Sequence, residues 1–259
     1  MPVTPDDHLA QSGHDVRVEW GPNGLRRLAP HCPTVVIVDV LSFTTCVDVA
    51  LGRGATILPY RWHDGGEHDH AATHGATVAV RRDEVDADHP WSLSPAALAD
   101  LPAGTRLVLP SPNGAALTFG AAEAGATTVI AACLRNASAV ALHLASHDGP
   151  VGILPAGERW RGATGPLRPA LEDLLGAGAI AAELAAAGRT ASPEARAAAA
   201  VWNDGRADLP VLLGRSVTGR ELSERGWAAD VELAGMVDVS TVVAVLDGDT
   251  FVDTATRSR

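Results

Sequence analysis

TVVIVDVLSFTTCVDVALGRGATILPY, residues 34–60, decides how this chain folds. Thr34 to Val38 is a β-branched run with no polar break, the pattern of a strand buried on both faces of a parallel sheet. The run ends at Asp39, and the hydroxyl residues Ser42, Thr44 and Thr45 open a helical spacing that Gly52 and Gly54 close. Ala55–Tyr60 then reads as a second strand. The stretch is a β-α-β unit with Asp39 at the carboxyl end of its first strand, the edge where ligands bind in open α/β sheets. A carboxylate beside hydroxyls and the free N–H groups of a helix start suits a metal-assisted phosphate site. One that ends Val-Val-Ile-Val is partly buried and needs a partner or a metal.

Outward from this unit the alternation runs almost end to end. Strands are expected at His14–Trp20, Thr77–Val80, Arg106–Pro110, Thr127–Ala132 and Val151–Pro155. Helices are expected around Gly24–Leu28, then at Ser94–Leu101, Gly114–Ala124 and Asn136–Ser146. Further helices are expected at Pro169–Ala187, where proline takes the first position, and at Pro193–Asn203 and Ser216–Arg225. Val242–Val252 reads as a hairpin around Asp247-Gly248, a type I′ signal, while the polar segment Arg61–Gly75 reads as a loop or a poorly ordered helix. The pattern predicts a three-layer α/β/α fold with a largely parallel sheet and an antiparallel C-terminal element. One domain holds all 259 residues, with a small C-terminal subdomain from about 205 as a variant of that reading.

Composition removes several chemistries. All 20 basic residues are arginine, so a Schiff-base lysine, pyridoxal phosphate attachment and a Walker-type phosphate loop are excluded. Anion contacts must come from arginine, a metal or backbone N–H groups. The net charge of −11 argues against nucleic acid and anionic membranes as partners. No apolar run reaches the length of a membrane span, and residues 1–15 lack the regions of a signal peptide, so a cytoplasmic location is expected. Cys32, Cys46 and Cys133 form no metal or redox motif.

Four turns carry the polar residues that could do chemistry. The first is Asp39 with Ser42, Thr44 and Thr45; the second is Ser111-Pro112-Asn113-Gly114 after a strand. The third is Arg135-Asn136, and the fourth is Gly157-Glu158, whose following helix carries Glu172 and Asp173 in its first turn. In a parallel sheet all four would share one rim. Each also has a plainer reading, since Ser42, Thr44 and Asn136 suit helix caps, Asn113-Gly114 suits a turn, and Glu172 and Asp173 suit a helix dipole. His63, His68, His70 and His74 invite a zinc reading, but their spacing matches no recognised finger or metalloprotease. No G-x-G-x-x-G follows the first strand, which removes the support for a dinucleotide-binding oxidoreductase.

Taken together, these motifs resemble the 2-phosphosulfolactate phosphatase family of coenzyme M biosynthesis. The resemblance rests on DVLSFTT from Asp39, WSLSP from Trp91, SPNGA from Ser111, RNASAV from Arg135, AGE from Ala156 and LEDLLGAGAI from Leu171. GRELSERGWAADVELAGMVD from Gly219 resembles the family's closing segment, so the likeness spans nearly the whole chain. It implies a Mg²⁺-dependent phosphatase acting on a small phosphorylated hydroxy acid, with Asp39 and Glu158 as metal ligands. Asp39, Glu172 and Asp173 would be catalytic, with either Glu172 or Asp173 orienting or deprotonating the attacking water. Ser42, Thr44, Thr45, Arg82, Ser111, Asn113, Gly114, Arg135 and Asn136 would hold the phosphorylated substrate. Homodimerisation is left open. The chain departs from the family most at Ser42-Phe43, which stands where the family has Arg-Ala. Another arginine (Arg81, Arg82, Arg135 or Arg159) takes over, the substrate differs, or the protein binds a small anion without turnover.

Overall fold

A computed structural model of the chain describes residues 8–61, 65–160 and 165–254. Residues 1–7 and His63 lie outside the described residues. The chain opens with β1 (Val16–Val18), α1 (Gly21–Leu28), β2 (Thr34–Val38), α2 (Phe43–Gly52) and β3 (Thr56–Arg61). It continues with α3 (Glu67–His74), β4 (Thr77–Val78), α4 (Pro95–Leu98), β5 (Arg106–Ser111), α5 (Gly114–Glu123), β6 (Thr128–Ala132) and α6 (Ala137–Ala145). Then come β7 (Val151–Pro155), the short pair β8 (Glu158–Arg159) and β9 (Leu167–Arg168), and the long helix α7 (Leu171–Ala186). The C-terminal part holds α8 (Pro193–Gly205), α9 (Leu209–Arg215), α10 (Val217–Glu224), α11 (Ala228–Ala234), β10 (Ala244–Asp247) and β11 (Thr250–Asp253).

The strands build a nine-stranded sheet in the order β1-β7-β2-β6-β10-β11-β3-β5-β4. All five residues of β2 are buried, as the unbroken apolar run requires. Their alternation divides the core: Val36 and Val38 pack with Val140 and Leu144 of α6 and Ile180 and Leu184 of α7. Val35 and Ile37 face the other way, against Leu25 and Leu28 of α1 and Leu117 and Ala121 of α5. Each such side chain contributes about 1.5–3 kcal/mol when fully buried. The α/β/α layering read from the sequence is therefore present, with helices on both faces of a mostly parallel sheet. Among the described residues no helix is long and apolar enough to cross a membrane.

The C-terminal hairpin is antiparallel as expected, but it is inserted into the middle of the sheet. β10 pairs antiparallel with β6, and β11 antiparallel with β3. The block β1-β7-β2-β6 and the block β3-β5-β4 are each parallel, yet they run in opposite directions. This corrects the single parallel rim inferred from sequence. Strand twist of about 20–25° per step accumulates between β2 and β5, and the ends of the two strands still meet, as the contacts below show. The hairpin turn is also one residue later than read. Asp247 pairs with Thr250, and only Gly248 has positive φ (+63°) among the turn residues, which is the II′ pattern.

Other boundaries shifted for local reasons. The polar segment at 61–75 contains α3, ended by Gly75. Pro169 precedes α7 and does not occupy its first position. The helices α9 and α11 and the β8–β9 pair had no signal strong enough to be read. Leu209 and Leu213 of α9, Leu222 of α10 and Val231 of α11 join the core cluster of β2 and α7.

Candidate active site

Asp39 follows β2 directly and is 6% exposed. Phe43 N donates to its Oδ1 at 3.2 Å, and Gly114 N donates to Oδ2 at 2.8 Å. Phe43 and Gly114 are the first residues of α2 and α5, so two helix N-termini converge on one carboxylate. Position 114 must be glycine, because a Cβ would stand 2.3 Å from Phe43 Cδ1 and 2.8 Å from Asp39 Oδ2.

Three further carboxylates surround it. Asp173 is 3% exposed and accepts from Val40 N and Gly157 N, each at 2.8 Å. Glu172, beside it at the start of α7, is 1% exposed, and its Oε2 has no hydrogen-bond partner among the described residues. Glu158 of β8 accepts from Asn113 Nδ2 at 3.1 Å. Burial pushes the Asp39 carboxyl up to about 6 against the pull of the Phe43 and Gly114 N–H groups, and the Glu172 charge adds to the rise. Burial, then the charges of Asp39 and Glu172, push Glu158 up to about 8 despite Arg168 and Asn113. Asp173 is raised well above the carboxylate range by burial and by the same two neighbours. The set is loose: among the described residues, the only trio of His, Cys, Asp or Glu with ligand atoms within 4.8 Å of one another lies elsewhere.

Asp39 and Glu158 open onto a pocket of about 180 Å³, with Ser42, Ser111, Pro112 and Asn113 on its wall. Ser111 Oγ accepts from the N–H groups of Asn113 and Gly114 at 3.3 and 3.2 Å, which shapes that turn. Arginine comes from two distant segments. Arg82 Nη2 donates to Ser42 Oγ at 2.8 Å, and Arg82 Nε donates to Asp230 Oδ2 at 3.1 Å. Arg225, from the end of α10, also lines the pocket, and both guanidinium groups lie over the Trp227 ring, at 5.1 Å for Arg82 and 4.4 Å for Arg225.

Five of the expected substrate-holding residues do not line the pocket: Gly114 gives its N–H to Asp39, and the other four are held elsewhere. Thr44 and Thr45 are fully buried; Thr44 Oγ1 donates to Asp39 O at 2.8 Å and accepts from Asp39 N at 3.0 Å. Thr45 Oγ1 donates to Val40 O at 2.7 Å. Their hydroxyls hold the turn on which Asp39 stands. Arg135 pairs with Asp48 at 2.8 Å, and Asn136 bridges Cys133 N and Val242 O. Both are tied into a sealed region, because the chain from Leu233 to Val242 covers that turn.

Comparison with known proteins gives the family. A profile of the family described as 2-phosphosulpholactate phosphatase matches residues 25–249. The chain belongs to the 2-phosphosulfolactate phosphatase family. It is 33% identical over 126 residues, 48% of its length, to a Pseudothermotoga lettingae protein named "Probable 2-phosphosulfolactate phosphatase". The alignment covers 51% of that protein, so the chain spans about half the length of the curated relative it matches.

Ser42 and Phe43 have separate roles in the structure. Arg82 brings a guanidinium to the Ser42 hydroxyl, and Phe43 fills core space against Phe251 at a ring separation of 6.3 Å. Arg225 and Thr218 on the pocket wall were not read from the sequence. Arg225 sits inside the family-like closing segment, and that likeness was the one available signal.

Proposed function

We propose that this chain is a Mg²⁺-dependent phosphoric monoester hydrolase that releases phosphate from 2-phosphosulfolactate or a close analogue, leaving sulfolactate. The observation that carries the reading is one pocket with carboxylates Asp39 and Glu158 on its wall and guanidinium groups Arg82 and Arg225 on the same wall. Family membership supports the reaction class, and the name of the Pseudothermotoga relative supports the substrate.

The residues fit Mg²⁺. The donors are hard carboxylate oxygens, two of them reach the pocket, and Glu172 Oε2 has spare accepting capacity. Loose spacing suits an ion that takes one or two carboxylates and keeps several waters. Asp39 and Glu158 would hold Mg²⁺, which when bound would polarise a phosphoryl oxygen and offset the negative charge gathered there. Asn113 fixes Glu158, and the N–H groups of Phe43 and Gly114 fix Asp39.

Arg82 binds the phosphoryl group from the side of Ser42. Because Ser42 Oγ accepts from Arg82, its own proton is available to a substrate oxygen. Arg225, stacked on Trp227 and paired with Glu221 only at 3.8 Å among the described residues, serves the second anionic group of the substrate. Of the two carboxylates considered for the attacking water, Asp173 has both oxygens tied to backbone N–H groups. Glu172 retains a free oxygen and is favoured over Asp173 as the proton acceptor, although neither carboxylate lines the pocket wall and Glu172 would have to be reached from behind Asp39 and Glu158.

The test is phosphate release from 2-phosphosulfolactate, 2-phosphoglycerate and phospholactate, each with Mg²⁺ and with a chelator. Mg²⁺-dependent release, fastest from the sulfonated compound, is expected. Absence of release from all three would overturn the reading. The loss of the family arginine at Ser42 favours one alternative, a protein that binds the anion without turnover. That alternative would show a ligand-dependent rise in Tm alone.

A further inference from the structure

We propose that His70, His74 and Asp249 form a second metal site, for a transition-metal dication with zinc preferred, outside the Asp39 pocket. One ligand atom from each lies within 4.8 Å of the other two. His70 and His74 are four residues apart on α3, which puts both imidazoles on one helix face. Asp249 reaches them from the β10–β11 turn, with its Oδ2 2.9 Å from His74 Nε2.

The hydrogen bonds point to a cation. His74 Nδ1 lies 2.8 Å from His70 O, and a carbonyl only accepts, so Nδ1 carries the proton. In neutral His74 the Nε2 lone pair therefore faces the Asp249 carboxylate, two acceptors at 2.9 Å. Protonating His74 would satisfy that pair, but it leaves His70 unexplained. His70 Nε2 is buried with no partner among the described residues, and so is Oε2 of Glu67, one turn earlier on the same helix face. A metal ion between the imidazoles and the carboxylate satisfies His70 and His74 together.

The contacts beyond the ligands are those of a metal centre. The His74 N–H is held by a backbone carbonyl, and Asp249 Oδ1 accepts from Thr250 Oγ1 at 3.0 Å. Two imidazoles and one carboxylate, with a fourth position for water, suit zinc and its neighbours and not Mg²⁺. The ion would staple α3 to the hairpin that joins the two blocks of the sheet.

Chelator-treated protein, titrated with ZnCl₂ in excess MgCl₂, tests the site. Saturable zinc binding with Kd on the order of 1 µM or tighter is expected, with a Tm rise of roughly 5 °C at a hundredfold excess of free zinc over Kd. CoCl₂ in place of zinc should give the visible bands of a tetrahedral site. His70→Gln and His74→Gln should each weaken zinc binding on the order of 100-fold, while Asp39→Asn leaves it unchanged. Asp249→Asn, at a half-exposed turn where folding is not at issue, should weaken it as well. No saturable binding, or wild-type affinity in the Asp249→Asn protein or in both histidine variants, would overturn the proposal.

Discussion

Two turns lie side by side in this sheet, and only one opens to a pocket. β2 and β6 are adjacent and parallel, and each ends in a short polar turn before a helix. After β2, Asp39 is held by two N–H groups and still reaches a pocket wall. After β6, Arg135 and Asn136 are covered by the segment that leads from α11 to β10. Arg135 Nη1 donates to Leu233 O, Ser240 N donates to Arg135 O, and Asn136 Nδ2 donates to Val242 O. Polar residues at a strand end are thus necessary for a site and insufficient. What separates the two turns is a chain segment about a hundred residues downstream.

The largest expected effect breaks the comparison from the open side. Asp39→Asn should lower phosphate release at least on the order of 10³-fold while the fold persists. Burial raises the Asp39 pKa, so its charge opposes folding near neutral pH, and the variant's Tm should be no lower than wild type. Wild-type turnover in that protein, measured by phosphate release, would remove Asp39 from the reaction. Arg135→Met tests the sealed side. It takes the charged partner from Asp48, which is 1% exposed and would keep only the Ser240 hydroxyl. Losing one member of a buried pair costs about 3–5 kcal/mol. Chemical denaturation should show that loss, with kcat per folded molecule unchanged.

The contrast also shows how far sequence reading reached. The run Thr34–Val38 revealed the parallel strand and put Asp39 at its end, because burial on both faces leaves an unmistakable apolar signature. The α/β/α layering followed from strand–helix alternation. The opposite direction of the block β3-β5-β4 was not legible, since it depends on where the hairpin inserts. Which turns open to solvent was not legible either. Thr44 and Thr45 look the same as Ser42 in the sequence, and only the folded turn shows that two of the three hydroxyls are spent on nearby backbone while the third meets Arg82. Arg225 reached the pocket through helix packing in the C-terminal part, a placement that residue spacing cannot reveal.

Acidity sharpens the picture of the open turn. In the metal-free protein Glu158 has its folded pKa raised from 4.5 to about 8, and Asp39 from 3.8 to about 6. The folded state then holds more protons than the unfolded state across these windows. Stability is therefore greatest below about pH 4 for these groups and falls as pH rises, through about 6 for Asp39 and about 8 for Glu158. Tm measured in chelator should fall between pH 5 and 8.5, less steeply in Glu158→Gln, and Mg²⁺ should flatten the wild-type slope. A slope unaffected by both changes would show that these carboxylates are not the source.

The smallest expected effects separate hydroxyls only a residue apart. Ser42→Ala removes the acceptor of an Arg82 N–H and a proton available to substrate, so KM should rise about fivefold, the worth of roughly 1 kcal/mol for one hydrogen bond. Tm should stay within about 1 °C, because Arg82 keeps Asp230 and the Trp227 face. Thr44→Val should do the reverse. It removes the hydroxyl that bridges Asp39 N and Asp39 O, leaving a buried N–H without its acceptor. The loss is about 1–3 kcal/mol of stability with KM unchanged. If Thr44→Val instead raised KM with no loss of Tm, the Thr44 hydroxyl would belong to the substrate and not to the turn.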